Sequence, residues 1–363
     1  MFRLILSMCL LILTPSFLQA AVFQVNTVAE LESTLSIAGS NGEDDIINIL
    51  KGTYQPLDSF SYDSHEDNAI TLQGSGGEVI IDGSLSNHRI LFIRTYGSNS
   101  GIKINGMTLR NGYSPENENG AGILINTSSA DLTLENLKII NCTGAAFYFT
   151  NHGGGAYITA GATSNVIIRN CVVAGNTAKG FGGGLYLSLI SGTLSFINNT
   201  IINNHNNTSV VEGGGGVYLR LFYDTATAHL YNNIFWGNTY DSGDGDLYIE
   251  DNGDDALDDF DVPATINMYN NNFNRLDYNI GSALTLSNNI SQEPQLTSDF
   301  HLTENSPCLD MGTSAAPYIP VKDFEGHPRS YDGNQDGFKF PDMGADEFYK
   351  SNISPVLHML LLQ

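Results

Sequence analysis

Short stretches that alternate apolar and polar residues recur along most of this chain, each introduced by glycines. The copies read Gly120-Ala-Gly-Ile-Leu124, Gly153-Gly-Gly-Ala-Tyr157, Gly182-Gly-Gly-Leu-Tyr186, Gly213-Gly-Gly-Gly-Val-Tyr218 and Gly245-Asp-Leu-Tyr248. Within them Ala156, Ile158 and Ala160 form one face, as do Leu185, Leu187 and Leu189, and Val217, Leu219 and Leu221. A period of two is the signature of strands, and no helical period runs from residue 45 to about 290. A second, asparagine-rich strand follows each copy: Glu135 to Asn141, Arg169 to Asn176, Asn198 to Asn204 and Asn232 to Asn238, with Ile104 to Asn111 as an earlier one.

The repeat length decides the architecture. Tyr157, Tyr186, Tyr218 and Tyr248 follow one another at roughly thirty residues, the range of solenoids. A β-sandwich built of hairpins would show no such register. Equivalent coils stack parallel, so like residues lie about 4.8 Å apart and asparagine amides can form ladders. The expected fold is an all-β, right-handed parallel β-helix of about eight coils over residues 45–290, starting with Asp45 to Leu50 and Glu78 to Gly83.

A solenoid leaves core and backbone open at its ends, so a cap is expected. Residues 21–44 supply it: Thr27-Val-Ala-Glu30 forms a capping box, Val28, Leu31 and Leu35 make one stripe, and Gly39 can end a short helix. A segment over 291–349 is expected to close the other end, followed by a tail at 350–363.

Residues 1–20 read as a signal peptide. Arg3 is the positive region, Leu4 to Leu13 the apolar region, and Ala20 or Ala21 the cut. That run is too short to span a bilayer, and no longer one follows. Cys9 is poorly placed for lipidation. The chain is expected to be exported, extracellular or at the cell surface, and associated with an outer membrane. Its formal charge of −24 argues against nucleic acid and anionic membranes as partners. Cys142, Cys171 and Cys308 are odd in number. Cys142 and Cys171, one repeat apart, could bridge but read better as small buried residues.

The glycine turns, paired with Phe196-Ile-Asn-Asn199, resemble the repeats of polymorphic outer-membrane proteins, whose carboxy-terminal barrel has no counterpart here. Asp323-Phe-Glu-Gly-His-Pro-Arg329 and Pro341-Asp-Met-Gly-Ala-Asp-Glu347 resemble the end of choice-of-anchor Q proteins, β-helix chains that precede a surface-sorting signal. The resemblance implies a pectate-lyase-like fold at a cell surface. Ser354 to Gln363 carries no LPxTG-type motif, which leaves release or loose association open.

Three features bear on chemistry. Asp332-Gly-Asn-Gln-Asp-Gly337 alternates oxygen donors as a Ca²⁺ loop does, with Asp332, Asn334, Asp336, the Phe338 carbonyl and Asp342 as ligands of a structural ion. A polar turn is the alternative. A second acidic stretch, Asp241 to Asp261, is densest at Asp254, Asp255, Asp258 and Asp259 and reads as a solvated loop. The four tyrosines point outward from equivalent places, beside Thr159, Ser188, Arg220 and Glu250. They make either an aromatic strip for a glycan or another cell surface, or a ladder that stabilises the sheet.

Catalysis finds little support. A lyase needs a basic residue and cations, but Arg169, Lys179 and Arg220 stand alone. A glycosidase needs carboxylates across a cleft, but Asp82 and Asp131 occur singly in turns. His152 reads as a turn residue without a partner, and no histidine pair has zinc spacing. The sequence points to a non-enzymatic, adhesin-like or glycan-binding protein. A polysaccharide lyase or glycosidase, and a structural spacer, are the alternatives.

Overall fold

The computed structural model of the chain describes residues 20–97, 101–115, 118–144, 151–208, 213–222, 225–251, 264–281 and 283–350. Three sheets build a solenoid. The first follows the path Ala21–Val25, Asp45–Tyr54, Ile70–Asp82, Ile102–Arg110, Leu132–Ile140, Ser164–Arg169, Gly192–Ile197, Thr227–Tyr231, Thr265–Tyr269, Ala283–Ser287. The second stacks eight strands from Phe60–Ser64 to Leu276–Asn279. The third is narrow, from Tyr113–Ser114 to Gly243–Asp244, and only its last pair is antiparallel. Parallel pairing of equivalent residues, such as Tyr157 with Tyr186 and Tyr186 with Tyr218, makes this a parallel β-helix.

The inward faces expected from the sequence are buried: Ala156, Ile158, Leu185, Leu187, Leu189, Val217, Leu219 and Leu221 all lie in one core. Glycine is needed at the turns for two different reasons. Gly182 has φ +70°, a conformation side chains resist. At Gly183 a β-carbon would meet the Gly215 carbonyl oxygen of the next coil at 2.3 Å. The first is a matter of handedness, the second of close approach between coils.

Paired asparagines do two jobs. Asn136, Asn170, Asn198, Asn232 and Asn270 sit at φ between 53° and 58° and turn the first sheet through a corner. Their successors point inward. The Asn199 amide donates to Asn233 Oδ1 (3.1 Å), Asn233 to Asn271 (2.9 Å) and Asn271 to Asn289 (3.0 Å). At the next corner Asn176 donates to Asn204, Asn204 to Asn238 and Asn238 to Asp246, each at 2.9 Å. These ladders satisfy backbone groups that no strand reaches.

The ladders also settle the cysteines. The Cys142 N–H donates to Asn176 Oδ1 and the Cys171 N–H to Asn199 Oδ1, so the two thiols head different ladders. They are buried and free, as is Cys308. Both are the small buried residues expected, and the bridge between them, the lesser alternative, does not form.

The N-terminal cap is a helix, Val28–Ala38, with Thr27 accepting from the Glu30 N–H. Leu31 and Leu35 bury against the start of the core. Gly39 ends it with φ −72°, not left-handed; a β-carbon there would press on the Asp63 carbonyl oxygen at 3.1 Å. Ala21–Val25, expected as part of the cap, is already a strand paired with Asp45–Ile49. Among the described residues, no helix is long and apolar enough to cross a membrane.

The largest departure concerns residues 291–350, which lie along the flank of the solenoid rather than across its end. In Val172–Ala174, Thr200–Ile202 and Ile234–Trp236 both faces are apolar: Val173, Ile201 and Phe235 face the core, while Val172, Ala174, Ile202 and Ile234 face out. Each such valine or isoleucine gains about 1.5–3 kcal/mol from full burial. Leu302, Cys308, Met343 and Ala345 provide the cover, so the chain doubles back as an arm. Corner asparagines hold it: Asn170 donates to the Lys322 carbonyl, Asn198 to that of Asp342, Asn232 to that of Thr313 and Asn270 to that of Met311.

Candidate functional site: the groove between sheet and arm

Where the arm crosses the first sheet it leaves a polar groove. One cavity of about 480 Å³ is lined by Asn105, Glu135, Asn136, Arg169, Lys322 and Glu325, among others. A second, of about 490 Å³, shares Gly106, Asn136, Phe324 and Glu325 with it and reaches Glu78 and Lys138. The floor is flat because Asn105 pairs with Glu135 in register, and their side chains share one side of the sheet.

Glu135 is the hub of the groove's charges. Glu135 takes Arg169 at 3.0 Å and Lys103 at 3.6 Å. Arg169 also donates to the Tyr318 carbonyl of the arm at 2.9 Å. The Lys138 ammonium sits 4.6 Å from the Phe324 ring centre. Asn136 donates to Asn105 Oδ1 at 2.9 Å. Such a surface offers amide and guanidinium hydrogen bonds without a net field.

The arm wall is rigid because the two C-terminal motifs lock together. Asp323 Oδ1 accepts from the N–H groups of Glu325, Gly326 and His327, and Oδ2 from that of Glu347. Arg329 is wholly buried. It donates to Asn170 Oδ1 (2.7 Å), to the Ala345 carbonyl (2.7 Å) and to Glu347 (3.4 Å). Burial pulls its pKa down, and Glu347 and Asp323 act against that. The motif singled out as a pre-anchor block thus pins the arm to the Asn170 corner.

The tyrosines stack in one line, with ring centres 4.8, 5.1 and 5.3 Å apart from Tyr157 to Tyr248. They point away from the core, next to Thr159, Ser188, Arg220 and Glu250 as the register requires. They are not an open strip. Tyr186, Tyr218 and Tyr248 are only 8%, 4% and 5% exposed, and Tyr157 is half-buried. Phe181 stacks on Tyr218 at 4.8 Å, and His152 lies 5.1 Å from Tyr186. Tyr218 bonds Glu250, which also pairs with Arg220 at 3.5 Å. Their faces are occupied by one another, which leaves no flat ring for a sugar.

His152 does have partners. Its Nδ1 accepts from the Phe181 N–H at 2.8 Å, and burial depresses its pKa to about 4, so it is a neutral structural group at physiological pH. Asp82 and Asp131 are also structural: Asp82 takes Arg110 and Asn111, and Asp131 takes the Asn165 backbone and amide.

The proposed calcium residues converge only in part. Asp332 and Asp336 face each other, and Asp310, which sequence reasoning missed, joins them; their oxygens lie within 4.8 Å of one another. Both carboxylate oxygens of Asp310 are buried without a hydrogen-bond partner. Asn334 is occupied with Asp336, donating at 3.1 Å and accepting from its N–H at 2.9 Å. The Phe338 side chain is exposed, and its N–H donates to Asp336. Asp342 is a correction: it turns inward, accepting from the N–H groups of Asp310 (2.6 Å) and Phe348 (2.7 Å). Burial, and then Glu347, raise its pKa far above the carboxylate range. Met343, at the twelfth loop position, is fully buried against the flank, so the loop cannot wrap as an EF-hand does. Asp254, Asp255, Asp258 and Asp259 lie outside the described residues.

No curated protein and no solved structure matches the chain. A family model described as a right handed beta helix region matches residues 57–223. Register, burial and that match together identify the chain as a right-handed parallel β-helix.

Proposed function

We propose that this is an exported, non-enzymatic β-helix protein of adhesin type that holds a polysaccharide chain in the groove between first sheet and arm. The observation that carries this reading is the lining itself, which brings the amides of Asn105 and Asn136 and the guanidinium of Arg169 together in one groove. Hydroxyl-rich chains are recognised by such rows of amides and planar cations. The signal-like residues 1–20 and the pre-anchor resemblance support a place outside the cytoplasm, on the surface or in an outer-membrane setting. The tyrosine ladder is assigned to stiffening the second sheet. Catalysis is disfavoured because the groove's ions already serve one another: Glu135 lies between Arg169 and Lys103. Calcium, held by Asp310, Asp332 and Asp336, fits this scheme as a structural ion that steadies the arm.

Titration of the full chain against an array of neutral and acidic glycans, with product analysis, tests the reading. Binding without new reducing ends or unsaturated products is expected. Asn105→Ala and Arg169→Ala should each weaken it by roughly tenfold, the loss of one hydrogen bond to a polar or charged group. Turnover of any glycan would favour the lyase or glycosidase, and silence in both assays the spacer.

A further inference from the structure

The two ends of the solenoid are finished differently. At the first, Leu31 and Leu35 of the helix close the core, each 1% exposed. At the other the arm turns away along the flank. The last coil keeps two edge strands, Ala283–Ser287 in the first sheet and Leu276–Asn279 in the second. One coil earlier the inward residues Ile266, Met268, Leu247 and Ile249 are fully buried. Leu286 and Tyr278, paired with Met268 and Ile249, are 49% and 55% exposed, and Leu284 and Leu276 are only half-buried. Among the described residues, burial of the core thus falls from complete to partial within one coil. The apolar surface continues past Asn288 into an open cavity of about 600 Å³, lined by Ile290 and by Met311 and Phe340 of the arm, both exposed.

We infer that this end is a self-association face, on which a second copy of the chain docks end to end about a two-fold axis. Two chains of −24 repel over most of their surface, so contact is least opposed where charge is absent. From Leu276 to Gln292 the one charged residue is Asp277, and Arg275 neutralises it at 2.6 Å. Soluble β-proteins guard open edges with lysine, proline or a bulge. Ala283-Leu-Thr-Leu-Ser287 has none of these and pairs in unbroken register with the coil before it. A foreign partner would need a matching strand, whereas a strand turned about a two-fold axis is antiparallel to its own copy and offers it the same row of donors and acceptors. Centred on Thr285, that pairing sets Leu284 against Leu286 of the partner subunit and brings the two open core ends together. The helix lies over the opposite end, beside Phe60–Ser64, so head-to-tail growth is blocked and assembly stops at two rods. An end one coil wide is a small interface, so the dimer should be reversible.

Sedimentation of the full chain over a range of concentrations should show a monomer–dimer equilibrium and nothing larger. Salt should tighten it by screening the repulsion between copies. Leu286→Lys, at an exposed position, should weaken it about a hundredfold, since the change enters the interface twice. Tyr278→Lys does the same on the second edge. Leu57→Lys, 75% exposed and near the helical cap, should leave it unchanged. Thr285→Cys should give a disulfide-linked dimer under mild oxidation, because opposed residues of an antiparallel pair lie about 4.5–5.5 Å apart at Cα, within disulfide reach. Cys142, Cys171 and Cys308 are buried and should not compete. Unchanged circular dichroism melts check that the variants keep the fold. A monomer at about 1 mM, a dimer indifferent to both Leu286→Lys and Tyr278→Lys, or filaments in place of dimers overturns the proposal. So does a monomer in which the amides of Ala283–Ser287 resist hydrogen exchange, because the chain's own residues would then cover the end.

Discussion

Asn204 is the sharpest place to test the ladder logic. Its Oδ1 accepts from the Asn176 N–H (3.0 Å) and amide (2.9 Å), and its own amide donates to the Val173 carbonyl and Asn238 Oδ1, both at 2.9 Å. Truncation in Asn204→Ala removes four bonds from a site closed to water. The Asn176 amide keeps the Ile139 carbonyl, and Asn238 Oδ1 keeps the Asn204 N–H. The Asn176 N–H loses the acceptor it has here. An orphaned buried donor costs about 2 kcal/mol, and three further lost bonds about 1 kcal/mol each, so the sum is about 5 kcal/mol. That is at the high end for one substitution.

The near-isosteric change is more telling. In Asn204→Asp the second oxygen would face two acceptors, Val173 O and Asn238 Oδ1, so at neutral pH it should destabilise at least as much as alanine. Its folded-state pKa would be raised, so stability should return as pH falls and be lost as pH rises. Asp246 ends the same ladder as a carboxylate because its Oδ2 meets two donors, the N–H groups of Asn274 and Arg275, which offset part of the burial that raises its pKa. Asp246→Asn should therefore destabilise, by pointing N–H at N–H. Guanidinium unfolding followed by the single tryptophan, Trp236, on the adjacent corner, reads all three. A loss under about 1.5 kcal/mol in Asn204→Ala, or wild-type stability of Asn204→Asp at neutral pH, would refute the reasoning.

Two further outcomes follow from the charges. Burial alone would push the Asp82 carboxyl up, but Asn111, Ser84 and Arg110 outweigh it and bring it to about 2. Its contribution is complete above its ordinary value of about 3.9 and fades as pH falls through about 2, so acid unfolding of Asp82→Asn should show less loss in that window. Calcium should raise the melting temperature, by about 2.7 kcal/mol of stability at a concentration a hundred times Kd, and Asp336→Asn should abolish the rise. Identical melts in Ca²⁺ and in chelator would remove the calcium assignment.

The coils were legible because alternation survives in every copy from Ala156 to Leu221. The paired asparagines were legible as a repeat but not as two functions: in Asn198-Asn199 the first turns the chain and the second faces inward. Aligning on those pairs would have set Cys142 beside Asn176 and Cys171 beside Asn199, and removed the idea of a bridge. The arm had a signal too. Val172 and Ile234 break the alternation on the outward face, and a strand apolar on both faces is covered on both. The burial of the tyrosines does not show in the alternation, although His152 and Phe181 each stand five residues before a tyrosine, at the head of a glycine turn. Nor could loop spacing reveal that Asp342 turns inward while Asp310 takes its place.

Stacked repeats ordinarily behave as a line of dominoes, each coil stabilised by its neighbours and free to peel from an end. The arm changes the arithmetic for part of that line. It joins Asn170 to Lys322 and Asn198 to Asp342, contacts 152 and 144 residues apart in sequence. The coils it spans cannot fray singly without releasing it, so they should open as one cooperative block, whereas the first coils, next to the helical cap, should open coil by coil. The molecule is a splinted rod, stiff along the part that carries the groove and softer toward its helical cap.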